Sequence, residues 1–164
     1  KETLYNCKMV QAQDGVSVES DTLGALLYPL EGDTFALDMV IKPERYHEFG
    51  IALHVDKELE TGYFLRMNPK NQLVAWDMWP RGEQGRYQWQ IKGDVPYQIE
   101  TARKLPKAEE YRVHIIKEKD ICVVYINDEI VLSTRMYNHK DGYAGIYVVQ
   151  GNVKLIQYKE KRSE

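Results

Sequence analysis

Residues 111–137, YRVHIIKEKDICVVYINDEIVLSTRMY, leave the chain little freedom. Tyr111, Val113 and Ile115 alternate with Arg112 and His114, the period-2 pattern of a strand with one buried face. Lys117, Glu118, Lys119 and Asp120 are too charged to bury and are expected to turn the chain. Residues 121–126 are apolar on both faces, which predicts a central strand covered on each side. Asn127 and Asp128 tolerate the left-handed backbone of a tight hairpin, and Ile130, Val131 and Leu132 run back as a third strand. A chain built around such a meander needs further strands to pack against it.

The rest of the sequence supplies them. Weak strands precede Gly32, with a turn at Asp14-Gly15 and a segment around 25–28 stopped by Pro29. Residues 34–42 form the first strong strand, ended by Pro43, with Phe35, Leu37, Met39 and Ile41 on one face and Asp38 on the other. In 50–56, Ile51, Leu53 and Val55 point inward and His54 outward. In 63–68, Tyr63, Leu65 and Met67 oppose Phe64 and Arg66, and Pro69-Lys70-Asn71 turns the chain. In 74–79, Val74, Trp76 and Met78 oppose Asp77 and Trp79. A loop at 80–85 and less regular strands at 87–91 and 97–101 follow, then a loop or helical turn at 104–110. Asp141-Gly142 leads into 143–149, Gly151-Asn152 makes a hairpin turn, 153–158 is the last strand and 159–164 a frayed tail. No segment holds a 3.6-residue period for more than a couple of turns. Many short strands at this spacing predict one all-β domain over 1–164, an antiparallel β-sandwich of the jelly-roll, lectin-like type.

Composition limits what such a sandwich can do. At 164 residues it can bury about 70% of its unfolded surface. A net charge of −3 argues against nucleic acid, which calls for a basic stripe. No apolar run approaches the ~20 residues of a membrane span. Cys7 and Cys122 are far apart, and Cys122 reads as a buried free thiol rather than half of a disulfide. No Cys or His spacing marks a metal site. No cofactor is expected, and a structural calcium is left undecided. The chain starts at Lys1, as a piece of a longer protein would. Twelve Tyr and three Trp against three Phe give it many rings with a polar tip, suited both to half-wet sheet edges and to stacking on sugars.

Asp38, His54, Arg66 and Asp77 fall at equivalent outward positions of four consecutive strands. In an antiparallel meander these would lie side by side. Two acids, an imidazole and a guanidinium can grip vicinal hydroxyls through forked hydrogen bonds, with Trp79 as an apolar platform. The same residues could equally be cross-strand ion pairs on a solvated face, worth little each. Tyr46, His47 and Glu48, and Arg81, Tyr87 and Trp89, are candidates for a rim. As an acid–base pair, Asp38 and Asp77 are poorly suited, because flanking cations would keep both ionised.

The organising stretch resembles the C-terminal β-sandwich of glycoside hydrolase family 32, through Asp120, residues 124–128 (VYIND) and 132–137 (LSTRMY). The chain is also similar to carbohydrate-binding module family 66, through residues 38–42 (DMVIK), 50–53 (GIAL), 62–65 (GYFL) and 142–146 (GYAGI). The resemblance spans roughly 33–159 and implies a sandwich that binds a terminal fructose of a fructan such as levan or inulin in a small polar pocket. His54 stands where the related module carries an Arg. Family 32 catalysis uses a nucleophilic Asp in a WMNDPNG-like segment, an Arg-Asp-Pro and a Glu-Cys on a separate propeller, and none of these occurs here. The resemblance therefore implies a non-catalytic accessory module, secreted or at the cell surface as part of a polysaccharide-degrading enzyme. Its partners would be carbohydrate and the catalytic domain. Two alternatives stay open: a sandwich that only buttresses a family 32 catalytic propeller, and a small jelly-roll glycan hydrolase.

Overall fold

A computed structural model describes residues 1–79 and 97–162. Among these residues, twelve strands form a continuous antiparallel sheet that curls into two layers. They are β1 (Thr3–Tyr5), β2 (Lys8–Ala12), β3 (Gly15–Pro29), β4 (Thr34–Arg45), β5 (Glu48–Val55) and β6 (Gly62–Asn68), then β7 (Leu73–Trp79), β8 (Tyr97–Gln98), β9 (Tyr111–Glu118), β10 (Ile121–Ile126), β11 (Ile130–Arg135) and β12 (Tyr143–Arg162). A single 3₁₀ turn, Pro69–Asn71, joins β6 to β7. The fold is the expected antiparallel, lectin-like sandwich.

The curl comes from β3 and β12, which pair with each other along most of their length. The first half of β12 pairs with β5, and the second half with β4. One layer thus runs β3-β12-β5-β6-β7-β8 and the other β3-β12-β4-β9-β10-β11. The transition lies at Gln150, whose φ of 53° marks a bulge where the β3–β12 register slips. At Gly151 a Cβ would meet the Arg45 carbonyl oxygen at 1.8 Å, so only glycine permits this crossing. Leu37, Val113 and Val124 of one layer share a core cluster with Leu53, Leu65 and Trp76 of the other.

Five sequence expectations are corrected. Gly151-Asn152 is not a hairpin turn but part of one continuous strand, because a bulge bends β12 without reversing it. That strand runs on to Arg162, so 159–162 pair with β4 instead of fraying. Pro43 does not end β4; it sits at an irregularity opposite Val153, a place where a missing N–H is tolerated. Strand β10 is covered on one face only: Cys122, Val124 and Ile126 are buried, whereas Ile121 and Tyr125 are exposed and Val123 is half-buried. Lys117 lies inside β9 in phase with Tyr111, Val113 and Ile115 and is buried with them, so the turn is confined to Lys119 and Asp120. Strand phase overrides charge at that position. The left-handed turn after β10 is as expected, with φ of 51° at Asn127 and 58° at Asp128. Residues 104–110 form a loop that buries Leu105, and both cysteines are free thiols.

Candidate functional site

The outer face of the β3-β12-β5-β6-β7 layer carries a second, smaller apolar cluster that includes Leu27, Ala52, Leu59, Phe64 and Tyr147. Polar groups are set into it in strand register. Tyr147 pairs with Gly50 and Gly50 with Arg66, while Phe64 pairs with Asp77 and Asp77 with Gln98. Arg66 lies diagonally across from Asp77 and closes a fork on it, Nε donating to Oδ2 at 2.9 Å and Nη2 to Oδ1 at 3.3 Å. Nη2 also donates to Gln98 Oε1 at 3.2 Å, and Gln98 is steadied by its amide donating to the Glu100 carbonyl at 2.8 Å. The Tyr147 hydroxyl donates to Glu48 Oε2 at 2.8 Å. Its ring reaches there across Gly50, where a Cβ would meet the ring at 2.8 Å and the Leu65 carbonyl oxygen at 2.0 Å. Phe64 stands edge-on to Tyr147 with ring centroids 5.6 Å apart.

Beside the fork lies a cavity of about 260 Å³, with Glu48, Asp77 and Tyr147 as its polar lining and Leu59, Phe64 and Trp79 among its apolar walls; Arg66 and Gln98 hold Asp77 from behind this lining. The hydrogen bonds to Asp77 hold the Arg66 guanidinium above its ordinary pKa, so it stays charged throughout the working range. Burial, then the neighbouring Glu48 carboxylate, pushes the Tyr147 hydroxyl well up, which keeps it a neutral donor. A carboxylate has roughly four acceptor positions, so Asp77 and Glu48 each retain some after their protein bonds. Two carboxylates with spare acceptor positions, a cation and an aromatic wall are a constellation that binds hydroxyl groups. Among the described residues, no group of three or more acidic, His or Cys side chains is placed to hold a metal ion.

The structure brings Arg66, Asp77, Trp79 and Glu48 together and separates the other candidates from them. Asp38 lies on the outer face of the opposite layer, where it hydrogen-bonds the His114 Nδ1. Meander order fails here because β4 and β5 pair with opposite halves of β12 rather than with each other. Asp38 and Asp77 therefore cannot act on one bond. His54 is turned into the interior by its own φ of 56°, a bulge that shifts the β5–β12 register and sends Val55 to the outer cluster. There its Nδ1 lies 2.9 Å from the Asp141 carbonyl oxygen, which can only accept, so Nδ1 carries the proton. Tyr46 packs edge-on against Phe49 with Lys70 over its ring at 4.5 Å, and faces the main core. His47 is an exposed loop residue whose N–H caps Val149. Arg81, Tyr87 and Trp89 lie outside the described residues. Sequence reasoning passed over Tyr147, Phe64 and Gln98. Phe64 shares the strand phase of Arg66 and could have been read; Tyr147 and Gln98 needed the strand pairing.

No family model matches the chain, and no curated protein matches as a relative. Solved structures do. The carbohydrate binding module CBM66 from Bacillus subtilis superposes with a TM-score of 0.79 at 17% identity, over 98% of this chain and 94% of that one. The legume lectin-like domain from Entamoeba histolytica gives 0.65 at 10%, over 99% and 90%. The exoplasmic/lumenal domain of VIP36, bound to Ca²⁺ and Man3GlcNAc, gives 0.66 at 11%, over 99% and 84%. At these identities the likeness is one of fold. The chain has the lectin-like β-sandwich fold.

Proposed function

We propose that this chain is a non-catalytic carbohydrate-binding module that takes a single sugar unit, most specifically the terminal fructose of a fructan, in the cavity on the β5-β6-β7 face. The observation that carries this reading is the Arg66–Asp77 fork set beside the Tyr147–Glu48 pair against Phe64 and Trp79. The fold likeness to a carbohydrate-binding module and to lectins supports the same class of ligand. A cavity of about 260 Å³ is below the ~300 Å³ typical of larger small-molecule sites, which favours a chain end over a bound polysaccharide segment. The module would serve a polysaccharide-degrading enzyme outside the cell, beside its catalytic domain. Affinity electrophoresis in levan, inulin and plant glucans tests this. The wild-type chain should be retarded by a fructan, and Arg66→Ala or Glu48→Gln should weaken retardation by roughly tenfold to a hundredfold, as loss of a charged hydrogen-bond partner does. Full affinity in both variants, or no retardation of the wild type in any glycan, refutes the reading.

One observation favours the buttress alternative. The outer face of the opposite layer exposes Ile116, Ile121, Tyr125 and Val131 on three adjacent strands. A contiguous apolar face of this kind suits contact with another domain. If that is its role, Ile116→Lys with Val131→Lys should abolish docking of a catalytic domain while leaving fructan retardation intact.

A further inference from the structure

Where β9 turns into β10, that turn and the segment between β11 and β12 line a second cavity of about 380 Å³. Lys117 lines it, with only 1% of its surface exposed. Among the described residues its ammonium has no hydrogen-bond or ion-pair partner; the Phe35 ring, 5.9 Å away, is a distant cation–π neighbour. Asp33 and Asp120 act on it only at a distance, and burial lowers its pKa. Its ammonium opens only onto the cavity, and a charge so little exposed is ordinarily paired. Beside it, His139 presents a buried Nε2 that also has no partner. Lys119 and Lys140 stand at the mouth, so three lysines face two aspartates in a chain whose net charge is −3. Tyr137, 69% exposed, flanks the opening with its ring in solvent.

We propose that this cavity is an oxyanion site, in which the Lys117 ammonium is the charged contact for a carboxylate, sulfate or phosphate group. The missing partner of Lys117 would then be supplied by the ligand, and His139 would complete the hydrogen bonding. The group could belong to an acidic sugar or to a free inorganic ion. The site is separate from the Arg66 cavity and independent of what that cavity binds.

Calorimetric titration of the whole chain at pH 7 and constant ionic strength, with sodium glucuronate, sulfate and phosphate in turn and glucose as the uncharged control, tests the assignment. At least one of the three anions should bind saturably and glucose should not compete with it. Lys117→Met should lose that binding by at least about tenfold. This variant is expected to fold, since an apolar chain of similar length replaces an unpaired buried charge, and its thermal unfolding verifies that. Binding by glucuronate identifies a sugar acid; binding by sulfate or phosphate alone identifies an inorganic ion. Retention of binding in Lys117→Met, or no saturable response to any of the three anions, overturns the proposal. Arg66→Ala should leave the anion response in place, so failure of one site is distinguishable from failure of the other.

Discussion

A single left-handed residue decides where His54 goes, and with it how the protein responds to acid. Burial lowers the His54 pKa from 6.5 to about 4, and the His139 pKa is lowered for the same reason. Both rings are therefore neutral in the folded protein where the unfolded chain would take up protons. Stability is fully present above about pH 6.5 and falls as the pH drops from there toward 4, by roughly 3 kcal/mol for His54 alone. Urea unfolding at pH 7.5 and 4.5 should show this loss, and His54→Gln should show less of it. An equal loss in the variant would remove His54 as its cause. Nothing in the residue types around position 54 announces the bulge. Alternation alone places His54 outward, and only the two-for-one pairing with β12 turns it in. Arg66, Asp77 and Glu48 were legible because no such irregularity separates them.

Strand β10 separates what a pattern can tell from what topology must add. Its six residues are almost uniformly apolar, so the sequence marks a strand but not which face is covered. Its two end isoleucines provide the test, since Ile126 is fully buried and Ile121 is 42% exposed. Ile126→Ala should cost about 2–5 kcal/mol in chemical denaturation, and Ile121→Ala less than about 0.5. Equal costs would mean that both faces are covered in solution. The adjoining turn was readable because Asn and Asp are the residues that accept positive φ. Lys117 was misread for the opposite reason. Its charge is a stronger local signal than its phase, yet the ladder of β9 carries it inward after Ile115.

For the molecule as a whole, the sharing of β3 and β12 between layers predicts that neither layer unfolds alone. Far-ultraviolet circular dichroism and tryptophan fluorescence should give coincident urea transitions, and the Cys122 thiol should become reactive in the same transition. That thiol is fully buried and pushed up to about 12, so it is inert until the sandwich opens. Separate transitions would mean that the layers are independent. Gly151→Val should lower the common midpoint rather than split it, because the crossing belongs to both layers. The position of β12 also bears on how the chain is made. It is the last of these strands to be synthesised, yet it is hydrogen-bonded between earlier strands in both layers. Until it arrives, β3, β4 and β5 have no common neighbour and their edges stay open to other chains. Folding of the sandwich should therefore wait until β12 has emerged, and a nascent chain stalled before Tyr143 should depend on chaperones to remain soluble.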